Sequence, residues 1–249
     1  MKIIGFVLLT IALAKHGRGQ DAKEIIREAD EKMRGESSHA DMKMQIIRPA
    51  WERTIEFESW SKGIDYSMTL VTAPTREAGQ TFLKRENELW QYNPTISRLI
   101  KLPPSMMSQG WMGSDYSNDD ILKESSIVVD YNHEILGSES IDGYECWKIE
   151  LQPKESAVVV WGKLIKWISK ADYLQLKSEY YDEDKFLVKT ETASNLKMMD
   201  DRKIPTHFEI LPAEEPDNKT IVEIISIEFN TNISLEFFTQ QNMKKISRR

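Results

Sequence analysis

Residues 20–60 read QDAKEIIREADEKMRGESSHADMKMQIIRPAWERTIEFESW, and the spacing of their apolar side chains changes once, after Gly35. Before Gly35 the apolar residues recur every three or four positions, which predicts one amphipathic helix over residues 20–35 with Asp21 as its N-cap. These positions are Ala22, Ile25, Ile26, Ala29 and Met33. After Gly35 the apolar residues alternate, with Met42, Met44 and Ile46 on one side of a predicted strand. The stretch therefore predicts a helix followed by a sheet.

The same alternation returns along the rest of the chain and predicts an antiparallel sheet. The alternating stretches are 55–57, 64–70, 88–92, 147–151, 173–181, 186–190, 204–210 and 220–229. Turn signals such as Asp142-Gly143 separate these stretches, and their spacing is typical of a meander that closes or curls. We therefore expect a mainly β (α+β) protein. Because no Gly/Ser/Pro-rich linker divides the chain, we expect residues 20–249 to form a single domain.

The N-terminus has the organisation of a secretory signal peptide. Lys2 precedes an apolar run from Ile3 to Ala14, which is too short for a membrane-spanning helix of about 20 residues. We expect residues 1–14 to be removed, with cleavage after Ala14 or as late as Gly19. The chain has one cysteine, Cys146, so its stability must come from an ordinary core rather than from disulfides. A soluble protein that works outside the cytoplasm is expected.

Charge and motifs exclude several classes of function. The net charge is -7, and the Lys and Arg residues are scattered, so nucleic acid is not an expected partner. The sequence contains no Gly-x-Ser-x-Gly elbow, phosphate-binding loop, dinucleotide-binding glycine pattern or His-Glu-x-x-His motif. The four histidines, His16, His39, His133 and His207, have no ligand-spaced neighbours. We therefore predict no catalytic residue, no metal site and no cofactor.

Large adaptable apolar residues are abundant, with eleven Met and seven Trp. Several of them lie in the irregular stretch 102–122, which has neither a strand period nor a long helical period and reads as a loop with short helices. Methionine fills irregular gaps and is frequent on surfaces that accept variable apolar ligands. Two interpretations stay open at this point: these residues fill a core, or they line an apolar cavity under a curled sheet.

Several motifs resemble the LolA/LolB family of lipoprotein carriers, and still more the broader group of outer-membrane lipoprotein-sorting proteins. The motifs are Ser37-Ser38-His39-Ala40, Gly79-Gln80-Thr81-Phe82-Leu83, Leu89-Trp90-x-Tyr92-x-Pro94, Met112-Gly113-Ser114-Asp115-x-Ser117-x-Asp119-Asp120 and Gly137-x-Glu139-x-Ile141-Asp142-Gly143. They follow one another in the family's order and cover nearly the whole mature chain. In the true carriers a lid-gripping arginine precedes a proline; the matching place here holds Lys62-Gly63, and the only Arg-Pro is Arg48-Pro49.

The resemblance implies an unclosed, strongly curled antiparallel β half-barrel with helices covering its concave side. It also implies an apolar cavity, for which we expect strand residues as walls and a mobile lid formed by the Met-rich loop. The expected ligand-binding residues are Trp60, Tyr66, Met68, Leu70, Trp90, Tyr92, Met106, Met107, Trp111 and Met112. We further expect Trp90 and Tyr92 to lie on a central strand that Pro94 ends.

The family implies a non-enzymatic carrier or chaperone of the periplasm. Its ligand would be a lipid or the acyl chains of a lipoprotein, with an inner-membrane transporter as donor and an outer-membrane protein as acceptor. A monomer is expected. Two alternatives remain from the residues alone: an interaction module of the envelope that serves a transporter and has a filled core, and a hydrolase with an atypical centre.

Overall fold

The computed structural model describes residues 21–157 and 159–248. The predicted signal peptide lies outside the described residues. The predicted helix is confirmed as α1, Ala22–Arg34, whose N-cap Asp21 accepts a hydrogen bond from the Lys23 amide at 3.0 Å. Gly35 ends the helix with φ of 65°, a left-handed conformation that glycine adopts without a steric cost.

Thirteen strands among the described residues join one sheet, in which every neighbouring pair is antiparallel. They are β1 Ser37–Arg48, β2 Trp51–Lys62, β3 Tyr66–Ala73, β4 Thr81–Arg85, β5 Glu88–Asn93, β6 Arg98–Lys101, β7 Tyr131–Ile141, β8 Tyr144–Pro153, β9 Lys163–Ser169, β10 Gln175–Tyr181, β11 Leu187–Met199, β12 Arg202–Pro212 and β13 Lys219–Phe229. Two short helices follow α1 in the chain, α2 Asn118–Lys123 and α3 Gln240–Ile246.

The strand order explains why the sheet stays open. It runs β6-β5-β4-β3-β2-β1-β13-β12-β11-β10-β9-β8-β7, so β6 and β7 are consecutive in the chain but lie at opposite edges. Residues 102–130, which we call the crossing segment, must therefore span from one edge to the other. The predicted loop with short helices is confirmed in this segment, which contains α2 and single turns of 3-10 helix at Pro104–Met106, Trp111–Gly113 and Glu124–Val128. The expected fold class, a mainly β, unclosed and curled antiparallel sheet, is confirmed.

The two faces of the sheet have different covers. The concave face is covered by α1 and by the crossing segment, whereas α3 lies on the opposite face. On β2, for example, Phe57 points to the concave face and contacts Trp111, while Trp60 belongs to the cluster around α3. Strand alternation therefore sorts neighbouring residues of one strand into separate clusters.

One half of the concave face is filled with apolar side chains. Ile25 and Ile26 of α1 are each 1% exposed and pack on β8, β9 and β10. The sheet side of this cluster consists of Tyr131, Trp147, Ile149, Leu151, Leu164, Ile168 and Tyr180. Burying one isoleucine side chain contributes about 1.5–3 kcal/mol, so these contacts hold α1 in place.

Strand β9 and the strand of Trp90 differ from the sequence expectation. β9 is buried on both faces, so its sequence does not alternate and predicted no strand. Trp90 and Tyr92 do lie on a strand that ends just before Pro94, but this strand, β5, is second from an edge rather than central.

On the face opposite α1, Cys146 is fully buried, and burial raises the pKa of its thiol. Within the described residues, no helix is long and apolar enough to cross a membrane.

Candidate functional site: a cavity beneath two covers

A cavity of about 350 Å³ lies between the sheet, the C-terminal end of α1 and the crossing segment. Its floor is formed by the concave faces of β1, β2, β3, β12 and β13, and its roof includes Met33, Trp111 and Ile127. The volume falls at the low end of the range of about 300–1,000 Å³ for small-molecule sites. The centre of the concave face is thus hollow, while the half under the N-terminal end of α1 is filled.

One end of the cavity is apolar. Its floor residues are Met42, Met44, Phe57, Phe208, Val222 and Ile224. Strand pairing makes most of them direct neighbours, because Met44 lies opposite Val222 and Met42 lies opposite both Ile224 and Phe57. Above them, the Trp111 ring contacts Phe57 edge to face, with ring centroids 5.8 Å apart. This end offers methionine and aromatic surface to an apolar ligand.

The other end of the cavity is polar. Its floor is a patch of hydroxyl side chains on three adjacent strands, namely Ser38, Ser59, Ser61, Ser67 and Thr69. The Ser38 and Ser61 hydroxyls are hydrogen-bonded at 2.7 Å. Lys84 of β4 is 7% exposed and lies beside Ser67 of β3. Its ammonium donates a hydrogen bond to the Ile64 carbonyl at 2.7 Å. Ile64 also lines the cavity and is 38% exposed, so this end meets solvent at the turn between β2 and β3.

The last turn of α1 contributes an ion pair to the cavity wall. Asp30 and Arg34 both line the cavity and pair at 2.8 Å. Burial raises the pKa of the Asp30 carboxyl, and the hydrogen bond from Arg34 opposes this shift. The pair adds a carboxylate and a guanidinium to the wall without adding net charge.

The crossing segment is held over the cavity by two carboxylates, of which Asp115 is half-buried and Asp120 is buried. Asp115 pairs with Arg48 of β1 at 2.9 Å and accepts a hydrogen bond from the Thr220 hydroxyl of β13 at 2.7 Å. Asp115 belongs to the Gly-Ser-Asp motif identified in the sequence. Arg48, the residue of the only Arg-Pro dipeptide, therefore holds this cover, while Lys62 donates to the Ile233 carbonyl near α3.

The second carboxylate is Asp120, which pairs with Lys189 of β11 at 2.5 Å; their side chains are 7% and 4% exposed. Asp120 also accepts hydrogen bonds from the Trp161 indole and from the Ser117 amide, both at 2.7 Å. The Lys189 ammonium lies 4.7 Å from the Tyr180 ring centroid and 4.9 Å from that of Trp161. A buried charge needs such partners. In the sequence Asp120 was noted only as part of the motif that begins at Met112, and its role as an anchor was not predicted.

The expected ligand-binding residues divide into three groups. Tyr66 and Trp111 line the cavity, and Met112 packs beside Trp111. Met106 and Met107 lie on the crossing segment but pack with Leu89 and Leu102 in a separate cluster. The other five, Trp60, Met68, Leu70, Trp90 and Tyr92, lie on the opposite face around α3. Whether any of these residues contacts a ligand stays a prediction, as does the mobility of the lid.

We expected those five residues in the cavity wall, whereas the structure places them on the opposite face of the sheet. The sequence interpretation assumed that the bulkiest alternating residues face inward. In fact the bulky set of β2 and β3 is covered by α3, and the interleaved, smaller set faces the cavity. A signal was present in the sequence, because residues 55, 57, 59 and 61 change from apolar to hydroxyl along one face of β2.

One group of described residues has the chemistry of a metal site, although it lies outside the cavity. Ligand atoms of His39, Asp41 and Glu58 lie within 4.8 Å of one another on neighbouring strands. The His39 ring stacks on Trp60 at 4.9 Å, and the Asp41 carboxylate accepts a hydrogen bond from the Ser226 hydroxyl. Folding thus brings His39 close to two carboxylates that its sequence spacing did not indicate.

Comparisons with known proteins agree with this architecture. A family model described as "Uncharacterized protein" matches residues 63–245. No curated protein matches the chain. Three solved structures share its fold: a DUF1329 family protein from Desulfovibrio piger, a putative outer-membrane lipoprotein-sorting protein domain from Vibrio parahaemolyticus and a LolA superfamily protein from Nitrosomonas europaea.

The structural agreement extends over nearly the whole of each relative. The TM-scores are 0.81, 0.78 and 0.77, with identities of 23%, 21% and 24%, in the same order. The matches cover 89%, 90% and 90% of this chain and 97%, 98% and 99% of the others. The resemblance predicted from the sequence motifs is confirmed. The chain belongs to the family of uncharacterized proteins whose model it matches, and it has the LolA-like fold of outer-membrane lipoprotein-sorting proteins.

Proposed function

We propose that this protein is a periplasmic carrier or chaperone that shields an acyl chain, of a lipid or of a lipoprotein, inside the cavity beneath α1 and the crossing segment. The single observation that carries the proposal is the hollow, methionine-lined and aromatic-lined end of the concave face. If this face only formed a core, these side chains would pack against one another. The side chains under the N-terminal end of α1 do pack in this way.

The energetics of transport support this role. Exposing an acyl chain to water costs about 0.8 kcal/mol per CH2, so a 16-carbon chain costs on the order of 10 kcal/mol. A carrier must offset most of this free energy and still release its ligand. Contacts with flexible methionine side chains meet both requirements, since methionine adapts to a chain of any conformation without forming a strong directional bond.

The proposed role includes a location and partners. The chain would act in the periplasm after removal of residues 1–14 or 1–19, as a monomeric single domain over residues 20–249. It would receive its ligand from an inner-membrane transporter and deliver it towards the outer membrane. The relatives from Vibrio parahaemolyticus and Nitrosomonas europaea support the fold on which this proposal rests.

The proposal is tested by filling the cavity. Ser59 lies on the cavity face of β2, so Ser59→Phe adds an aromatic ring to the hollow. Thr54 lies on the other face of the same strand and is exposed, so Thr54→Phe adds the same ring outside the cavity. We expect the wild type and Thr54→Phe to bind cis-parinaric acid, a fatty acid whose own chain is fluorescent, and Ser59→Phe to bind it at least tenfold more weakly.

Both variants should remain folded, which urea unfolding checks. Mass spectrometry of lipid extracts from protein purified out of the periplasm provides a second readout, in which the wild type retains lipid and Ser59→Phe does not. If the wild type binds no acyl chain in either experiment, or if Ser59→Phe binds as well as Thr54→Phe, the cavity is not the carrier site.

A further inference from the structure

We propose that His39, Asp41 and Glu58 bind one divalent transition-metal ion, with zinc as the best fit, on the outer face of the sheet. This site lies on the face opposite the cavity, so the inference is independent of the proposed function and either can fail alone. It departs from the prediction made from the sequence, in which the spacing of the histidines indicated no metal site.

The strand register brings the three side chains together. His39 and Asp41 are two residues apart on β1 and therefore share a face of the sheet. Ala40 between them lines the cavity, so the shared face is the outer one. Glu58 of β2 lies directly opposite Asp41. As a result, one ligand atom from each of the three residues lies within 4.8 Å of the other two.

The two carboxylates of this group lack a strong cation. Like charges directly opposite each other on adjacent strands are destabilising. Among the described residues, neither Asp41 nor Glu58 pairs with a lysine or an arginine. Lys43 follows on the same face of β1, but it lies opposite Glu56 and Glu223 and not opposite either carboxylate of the group. A divalent cation would neutralise the Asp41–Glu58 pair.

The distance between His39 and Glu58 fits a shared metal ion. Nε2 of His39 lies 3.4 Å from a carboxylate oxygen of Glu58, and this nitrogen is buried with no hydrogen-bond partner among the described residues. Zinc binds nitrogen and oxygen at about 2.0–2.2 Å, so two ligand atoms on a tetrahedral ion lie about 3.4 Å apart. The Asp41 carboxylate would complete the set by moving no more than about 1.4 Å, which a small side-chain rotation provides.

Neighbouring groups orient two of the three ligands. The Trp60 ring stacks on the His39 ring with an interplanar angle of 5°. Trp60 is itself buried and packs against Phe237, so it fixes the plane of the imidazole. The Ser226 hydroxyl donates a hydrogen bond to Asp41 at 2.7 Å, and a β-bulge in β13 places Ser226 opposite Asp41. Contacts of this kind orient metal ligands in known sites.

The ligand types select the class of ion. An imidazole nitrogen suits zinc, nickel or copper, whereas calcium and magnesium prefer sites built from oxygen ligands alone. The group supplies three protein ligands and Asp41 is exposed, so water would complete the coordination sphere, as in zinc sites that keep an open position. We therefore expect zinc to bind more tightly than calcium.

The experiment is a calorimetric titration of the untagged chain with zinc chloride, after bound metal has been removed with EDTA. We expect one zinc ion per chain, and calcium to bind at least tenfold more weakly. His39→Gln, Asp41→Asn and Glu58→Gln should each weaken zinc binding at least tenfold. His207→Gln is the matched control, because His207 lies 3.7 Å from a single carboxylate, that of Glu223, and belongs to no group of three ligands among the described residues. It should bind zinc like the wild type.

Urea unfolding separates the loss of a ligand from misfolding. In EDTA the wild type and all four variants should unfold at nearly the same urea concentration. Zinc should raise the midpoint of the wild type and of His207→Gln, and raise those of the three ligand variants less, because an ion that binds the folded state stabilises it.

Two sets of results would overturn the assignment. If the wild type binds no zinc, or if the three ligand variants bind it as tightly as the wild type, the metal site is not at these residues. If calcium binds as tightly as zinc, or if His39→Gln keeps full affinity, the group is only an acidic cluster and the transition-metal assignment is wrong. Neither result bears on the acyl carrier proposal.

Discussion

The two covers of the concave face are held by different forces. α1 is held through apolar contacts, chiefly Ile25 and Ile26 on the filled half of the sheet. The crossing segment is held through ionic hydrogen bonds, one half-buried between Asp115 and Arg48 and one buried between Asp120 and Lys189. Apolar contact has no preferred direction and tolerates small displacements, whereas a charged hydrogen bond requires a short distance and a defined geometry.

This difference indicates where the cavity can open. Both carboxylates lie in the middle of the crossing segment, so that cover is fixed over the apolar end. The last turn of α1 borders the cavity with polar side chains and faces the exposed turn at Ile64. We infer that a ligand would enter between α1 and that turn, while the mobility of the crossing segment stays a prediction.

The largest expected effect comes from breaking an ionic anchor. Lys189→Met leaves the Asp120 carboxylate buried without its cation, and removing one partner of a buried pair costs about 3–5 kcal/mol of stability. Urea unfolding measures this loss. Lys203→Met is the control, because the side chains of Lys203 and its partner Asp172 are 43% and 36% exposed and solvent-accessible pairs contribute about 1 kcal/mol or less. Equal losses for the two variants would show that Asp120 does not anchor the crossing segment.

A smaller loss is expected from the apolar cover. Ile25→Ala removes a side chain that is 1% exposed from the filled half, and such truncations cost about 2–5 kcal/mol. Ile224→Ala is the matched variant, because Ile224 is also buried but borders the existing cavity. We expect it to cost at least 1 kcal/mol less in the same urea experiment. If Ile224→Ala proves as costly as Ile25→Ala, the central cavity is filled in solution and the comparison of filled and hollow halves fails.

Much of the fold could be predicted from local patterns. α1 followed from one period of apolar residues with Asp21 and Gly35 at its ends, and most strands followed from alternation. β9 could not be predicted in this way, because burial on both faces removes the alternation that marks a strand.

The site was less accessible to sequence reasoning. Strand alternation predicts that residues 57 and 60 lie on opposite faces of the sheet, but it does not predict which face is concave. That choice depends on α3, which is distant in sequence and covers Trp60. The partners of Asp115 and Asp120 lie 67 and 69 residues away in the chain, so no local pattern could pair them. The family motif located both aspartates but gave no reason for their presence.

The smallest effect concerns the junction of the two covers, where His133 of β7 contacts the Ile127 carbonyl of the crossing segment at 2.7 Å through its Nε2 atom. Burial lowers the pKa of His133 below its usual value of 6.5, although the contact with Ile127 opposes this shift. The folded state therefore binds this proton less readily than the unfolded state, and the contribution of His133 to stability is complete above about pH 6.5 and is lost as the pH falls through the lowered pKa. We expect the free energy of unfolding to decrease less in His133→Gln than in the wild type when it is measured in urea between pH 7.5 and about pH 5. The reason is that glutamine cannot titrate and can still donate a hydrogen bond to the Ile127 carbonyl.

His207→Gln controls for the loss of an imidazole elsewhere on the sheet. A wild-type pH dependence that His133→Gln leaves unaltered would show that this junction does not respond to protonation.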